Sequence, residues 1–354
     1  MSRFALVVTA LLAVAYSYIA SRLAAGPLSA ALLAVPFVLI WIMPVLYWGT
    51  GRSREGWLDQ LVHRASYLSM AWVSFALVLT LVRDVLLLVG LHMSVPAVVA
   101  GAFVALVVGA IVALRGPRLV TLDLPIKDLH PDLDGYRIAQ ISDLHVGRTI
   151  RKRYVARVAE LCRSLDADLI ALTGDMVDGG VAQLAPHVEP LRALANGNAF
   201  FILGNHDCYS GAGAWSEHFR SLGFQVLLNS AATARKGGAE LIIGGVVDPA
   251  YRRERPHIEP VHGRGDFRLF LAHNPKLAPL GERAGFDLQL SGHTHAGQFF
   301  PWTLAVRLVH APHVAGLSRE GGMQVYVSAG TGTWGPPVRF GTSPELTLIR
   351  LIKA

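Results

Sequence analysis

The first 118 residues contain no lysine and only three acids, Glu55, Asp59 and Asp84. They divide into four apolar runs, about Phe4–Ala20, Pro27–Trp48, Ala65–Leu91 and Val95–Leu114. Each is near the roughly 20 residues that a helix needs to cross the hydrocarbon core of a bilayer. The front third is therefore expected to be a transmembrane region of four helices, residues 1–118. One domain of ordinary polarity follows over 119–354. The apolar front also explains why 52% of the 354 residues are hydrophobic, more than a water-soluble chain of this length carries. The first run has features of a signal peptide, with Arg3 before it and Ala20-Ser21-Arg22-Leu23-Ala24-Ala25 after it. Three further runs follow at once, which favours an uncleaved multi-span anchor.

Charge sets the expected orientation. Four spans place both chain ends of the region on one side, which collects Arg3, Arg52, Arg54, Arg64, Arg115 and Arg118, while the other side has Arg22. Basic flanks stay in the cytoplasm, so a multi-pass protein of the inner membrane with a cytoplasmic domain is expected. Eight arginines against three acids give the front region +5 of the chain's +7. The basic balance is thus a membrane-flank effect, and no Lys/Arg stripe interleaved with aromatics marks a nucleic-acid partner. The pair Arg83-Asp84 inside the third run reads as local neutralisation. Two cysteines, Cys162 and Cys208, are too few for a disulfide scaffold.

After the Gly116-Pro117 break, short apolar runs alternate with helical patterns, the signature of an α/β domain. Strands are expected over Tyr136–Ser142, Leu169–Thr173, Ala199–Leu203, Glu240–Gly245, Phe267–Ala272, Leu288–Ser291, Gln324–Ser328 and Leu346–Leu351. Helices are expected near Lys152–Leu165, Leu184–Ala195, Ala214–Leu222 and Lys276–Ala284. Arg252-Arg253-Glu254-Arg255 and His257 lie in a polar insertion that reads as a solvated loop.

Five clusters of donors come just after strand-like runs: Asp143-Leu144-His145, Gly174-Asp175, Gly204-Asn205-His206-Asp207, His273 and Gly292-His293-Thr294-His295. In open α/β sheets the crevice outside the carboxyl ends of strands holds the site. Residues two apart on a strand end share a face, so Asp143 and His145 are placed to grip one ion. Asp175 is placed to bridge two. Asn205 offers an amide oxygen, and His206 beside it is free for the substrate. Two histidines at i, i+2, His293 and His295, are seldom both core residues. The adjoining Gly147, Gly174, Gly204 and Gly292 suit tight turns and close backbone approach. Together the clusters offer enough ligands for two divalent ions side by side, a site for hydrolysing phosphate esters. Mixed N/O donors without thiolate suit Mn²⁺, with Fe or Zn²⁺ as alternatives. Arg148 and Arg339 are the candidate phosphate contacts.

These motifs, with Ala272-His273-Asn274-Pro275 and the tail from Pro336-Pro337-Val338-Arg339-Phe340 to Pro344-Glu345-Leu346-Thr347, resemble the calcineurin-like metallophosphoesterase superfamily, in particular its bacterial membrane-associated branch. The resemblance covers about Leu124–Leu351. It implies a four-layer αββα sandwich around two mixed sheets. It also implies one ion held by Asp143, His145, Asp175 and His295, a second held by Asp175, Asn205, His273 and His293, and His206 facing the phosphate as the catalytic side chain. Members of that branch include phosphodiesterases and pyrophosphatases that cleave UDP-diacylglucosamine.

The expected function is hydrolysis of a phosphodiester or pyrophosphate, in a lipid-linked substrate at the bilayer, by a hydroxide shared between the ions. Two rivals stay open. One is a phosphodiesterase or phosphatase of broad specificity, acting on nucleotides or phosphoproteins. The other is a transporter or sensor whose spans do the work and whose soluble domain regulates.

Overall fold

The computed structural model describes residues 3–43 and 56–354. The end of the expected second span beyond Met43, and the flank residues Arg52 and Arg54, lie outside the described residues. The chain divides into two compact units. One is the N-terminal helical region to Leu114 together with two later segments, Phe299–Pro301 and Gly335–Phe340; the other is the remainder from Arg115.

The helical unit contains α1 (Arg3–Leu23), α2 (Pro27–Ile42), α3 (Trp57–Leu88) and α4 (Val95–Leu114). Among the described residues three helices, α1, α3 and α4, are long and apolar enough to cross a membrane, and α2 is a shorter apolar helix. On α4 the buried positions Val98, Ala102, Gly109 and Ala113 form a stripe of mostly small residues, which lets other backbone approach closely. The Arg339 N–H uses this at Gly109, donating to its carbonyl at 2.9 Å. Phe299 and Phe340 lie 5.7 and 5.3 Å, ring to ring, from Phe75 of α3. The carboxylate Asp84 of α3 is neutralised locally. Its Oδ2 accepts from Arg22 Nε and from Tyr18 OH, both at 2.9 Å, and Arg83 lies 3.5 Å from Oδ1.

In the second unit the elements run β1 (Arg118–Ile126), β2 (Arg137–Ile141), α5 (Lys152–Arg163), β3 (Leu169–Leu172), α6 (Val181–Val188), β4 (Ala199–Phe201), α7 (Asn205–Tyr209), α8 (Ala212–Ser221), β5 (Gln225–Val226) and β6 (Ser230–Lys236). There follow β7 (Ala239–Gly245), β8 (Phe267–Leu271), α9 (Ala278–Ala284), β9 (Leu288–Ser291), α10 (Trp302–His310), β10 (Gly316–Glu320), β11 (Met323–Val327) and β12 (Glu345–Lys353). They form two six-stranded sheets, ordered β1-β12-β2-β3-β4-β5 and β10-β11-β9-β8-β7-β6. Both sheets are mixed. β12 runs antiparallel to β2 but parallel to β1, and the edge strands β6 and β10 are antiparallel to their neighbours.

Side-chain alternation builds the layers. Ile138, Leu169 and Phe200 of the first sheet share a core with Leu241, Leu269 and Leu288 of the second. Their sequence neighbours Ala139, Ile170 and Phe201 face outward. They pack on Val155 and Val158 of α5 and on Trp215 and Phe219 of α8. Beyond the second sheet, Ile242, Phe270 and Val325 pack on Ala278 and Ala284 of α9. The result is the four-layer αββα sandwich. The expected helix over Leu184–Ala195 is broken: α6 ends at Val188, and Glu189–Leu194 is a 3₁₀ turn. Pro190 explains the break, because its ring nitrogen carries no N–H to continue the α-helical i to i−4 hydrogen bonds.

Candidate metal centre

Sheet order decides which side chains meet. β2, β3 and β4 are parallel neighbours in one sheet, and β8 and β9 in the other, so their carboxyl ends lie together at one edge of each sheet. Asp143 follows β2, Asp175 follows β3, Asn205 opens α7 after β4, His273 follows β8 and His293 follows β9. The turns are tied to one another. Asp143 N–H donates to Gly174 O, His145 N–H to Asp175 O, and Gly292 N–H to His273 O, at 3.0, 3.0 and 3.1 Å. The two sheets meet where His293 N–H donates to Asp143 Oδ1 at 2.9 Å.

Five of the seven expected ligands have left-handed backbone: Asp143, His145, Asp175, His293 and His295, with φ between +50° and +71°. Such backbone is strained for a residue with a side chain and concentrates at functional sites. Glycine would relieve that strain but supply no donor atom. Glycine appears instead at the positions between, where space is lacking. A Cβ at Gly174 would stand 2.8 Å from His273 Nδ1, and one at Gly292 would collide with the Asp143 carboxylate.

The donor atoms gather in three groups, each within 4.8 Å: Asp143 with His145 and His295, Asp175 with His273 and His293, and His145 with Asp178 and His206. His145 Nε2 faces His295 Nε2 at 3.0 Å, and His295 Nε2 lies 3.3 Å from Asp143 Oδ1. His273 Nε2 is 3.1 Å from Asp175 Oδ2, and His293 Nδ1 is 2.9 Å from Asn205 Oδ1. Asp175 lies between the first two groups, with Oδ2 3.8 Å from His145 Nε2 as well. Arg148 is half-buried after the first motif. Arg339 is fully buried and belongs with the helical unit.

The residues fit divalent cations. His145 Nδ1 donates to Asp178 Oδ1 at 2.9 Å, and His273 Nδ1 donates to the Thr173 carbonyl at 2.8 Å. Each bond fixes the tautomer that leaves Nε2 as a lone-pair donor, as in a histidine that binds a metal through that nitrogen. His273 Nε2 is buried 3.1 Å from the Asp175 carboxylate without a well-aligned hydrogen bond, so a cation between the two would satisfy both. The electrostatics agree. Burial opposes a proton on His145, yet Asp178, Asp175 and Asp143 outweigh it and raise the group to about 9. At His273 burial is likewise overcome, chiefly by Asp175, and the group lies well above its ordinary value. His293 moves the other way, lowered to about 3 by burial and then by the charge on His273. The pocket thus attracts positive charge, protons or metal ions.

Two carboxylates complete the site without having been singled out from the sequence. Asp178 accepts from His145 and also lies 2.8 Å from His206 Nδ1. Asp207, fully buried, accepts backbone N–H bonds from Asp175, Gly204, Met176 and Val177 at 2.8 to 3.1 Å, which locks the β3 and β4 turns together. Asp207 was visible in Gly-Asn-His-Asp. Asp178, three residues past Asp175, had no motif of its own. Around His206 stand Trp334 and Tyr209, each 5.7 Å ring to ring and both exposed.

A two-sheet α/β sandwich that gathers Asp, His and Asn donors at its strand ends defines a metal-dependent phosphoesterase class of protein. Sequence comparison agrees. The family model for calcineurin-like phosphoesterases matches residues 136–297. An uncharacterized metallophosphoesterase of Aquifex aeolicus is 30% identical over 61% of this chain and 84% of its own length. A zebrafish transmembrane protein with metallophosphoesterase domain is 33% identical over 73% of this chain, and an uncharacterized Helicobacter pylori metallophosphoesterase is 32% identical over 68%. In both of these the match spans 65% of the relative's length. The chain belongs to the calcineurin-like metallophosphoesterase family.

Proposed function

We propose that this chain is a membrane-held, metal-dependent hydrolase of phosphodiester or pyrophosphate bonds in a lipid-linked substrate, with its catalytic domain at the cytoplasmic face. The observation that carries the hydrolytic reading is a pair of neighbouring donor groups, with Asp175 Oδ2 3.1 Å from His273 Nε2 in its own group and 3.8 Å from His145 Nε2 in the other, and with both Nε2 atoms left as lone-pair donors by Asp178 and Thr173. Asp143, His145, Asp175 and His295 would hold one ion; Asp175, Asn205, His273 and His293 would hold the other. Divalent ions there supply Lewis acidity toward phosphoryl oxygens and make bound water a stronger acid. His206, anchored through Nδ1 to Asp178, keeps Nε2 for the substrate, where it hydrogen-bonds or protonates the leaving oxygen.

The lipid-linked part rests on three helices of membrane length in the same chain. A tethered domain meets substrates in its own bilayer at high effective concentration. The test is a panel offered to the purified, Mn²⁺-loaded protein: bis-(p-nitrophenyl) phosphate, UDP-diacylglucosamine, phosphorylated lipids and nucleotides. The highest kcat/KM is expected on a lipid-linked compound. A preference for nucleotides would refute the lipid assignment, and no turnover of any compound by the metal-loaded protein would refute the hydrolase. Orientation is tested by fusions after Ala354. A fluorescent protein should be bright and alkaline phosphatase inactive, and the opposite pair would place the domain outside.

A further inference from the structure

None of the nine residues of α10, Trp302–His310, is buried, although the helix is mostly apolar. Leu308 is 90% exposed, Val309 58%, Leu304 54% and Trp302 48%. A helix on a water-soluble surface turns its apolar stripe inward. Here that stripe faces out, and contiguous exposed apolar surface marks an interaction site. The polar residues are equally specific: α10 carries Arg307, exposed, and no acid.

The two ends of the helix have different neighbours along the chain and in space. Trp302 follows directly on Phe299–Pro301, the segment packed with the membrane-length helices through Phe299 and Phe75. At the other end the His310 ring stands edge-on to His293, 5.2 Å between centroids. The C-terminal end of the helix thus meets a side chain of the donor cluster.

We propose that α10 is an interfacial helix whose apolar face docks on the bilayer surface, with Arg307 on anionic headgroups. The occupant is lipid rather than protein for two reasons. The same chain carries three helices of membrane length, so a bilayer is always within reach. An apolar face bearing Trp and Leu, flanked by a cation and free of acids, has the composition of helices that lie in the headgroup region. Such docking would hold the donor cluster at the plane where phosphates of membrane lipids lie. That consequence rests on the proposed function; the docking itself does not.

The test uses the full-length protein in phosphatidylcholine vesicles containing phosphatidylglycerol, with Cys162 and Cys208 replaced. An environment-sensitive fluorophore is placed at Leu308→Cys, at Val309→Cys or, as a control, at Arg253→Cys in the polar insertion. At Leu308 and Val309 the expected result is blue-shifted emission, quenching by nitroxide-labelled lipid and protection from aqueous iodide. At Arg253 iodide alone should quench. Adding Leu308→Glu should restore iodide access at Val309. Quenching by iodide alone at Leu308 would put the face in water. Protection from both quenchers would mean that protein, such as a second copy, covers it. Either result overturns the proposal. Turnover of bis-(p-nitrophenyl) phosphate by the same samples reports on the hydrolase separately, so either reading can fail while the other stands.

Discussion

Asp178 accepts from two imidazoles at once, so Asp178→Asn separates a pair of effects that no other single change in the site produces. The bond from His145, 2.9 Å, holds the ring of a proposed metal ligand in orientation, and the contact from His206, 2.8 Å, holds the proposed acid. A hydrogen bond involving a charged group contributes about 1.5–3 kcal/mol. Because 30% of the Asp178 side chain is open to solvent, the lower part of that range applies. About 1.4 kcal/mol is tenfold in an equilibrium or a rate. Loss of the first bond should therefore raise the Mn²⁺ concentration for half-maximal activity roughly tenfold. Loss of the second should lower kcat at saturating metal by roughly ten- to a hundredfold. The assay is bis-(p-nitrophenyl) phosphate turnover across a metal titration. A variant with changed metal dependence and wild-type kcat would refute the link to His206. One with wild-type behaviour in both would refute the orienting role altogether.

Three further outcomes follow from the same geometry. His206→Ala should lower kcat by roughly 10²–10⁴ while metal content stays normal, and loss of metal would make His206 a ligand instead. Asp207→Ala leaves buried N–H groups of Asp175, Met176, Val177 and Gly204 without their acceptor, at a cost of at least about 3 kcal/mol. That corresponds to a fall of about 6–12 °C in Tm, read by thermal unfolding in detergent; an unchanged Tm would contradict it. Metal uptake should release protons. The metal-free protein holds His145 at about 9, so this imidazole is protonated at pH 7 and must lose the proton to bind, and the carboxylates shift His273 in the same direction. Apparent affinity should rise with pH from 6 to 9, and calorimetry in buffers of different ionisation enthalpy should show proton release. A pH-independent affinity would contradict the assignment.

The eight expected strands are the inner strands of both sheets, buried on two faces and therefore written as short apolar runs. The four that escaped, β1, β5, β6 and β10, are the four sheet edges. β6 is Ser-Ala-Ala-Thr-Ala-Arg-Lys and β10 is Gly-Leu-Ser-Arg-Glu, both partly exposed, so pairing rather than apolar periodicity makes them strands. The helix α10 escaped because its nine residues are too short a window for a helical period to stand out. The donor residues were legible because five clusters followed five strands in order. Asp178 was not, since its role depends on which two histidines the fold brings within 3 Å of it. The left-handed backbone at five of the expected ligands left no trace either, because Asp and His tolerate that conformation without glycine's signature.

The central claim is that Asp175 joins two cation sites, and elemental analysis of purified protein tests it most directly. Asp175 Oδ2 lies 3.1 Å from His273 Nε2 and 3.8 Å from His145 Nε2, one side chain reaching both donor groups. The wild-type chain should contain two divalent ions, and Asp175→Ala, folded by its elution and thermal unfolding, should contain none at the same metal concentration. Two ions retained by the variant, or a wild-type chain that binds none, would contradict the account.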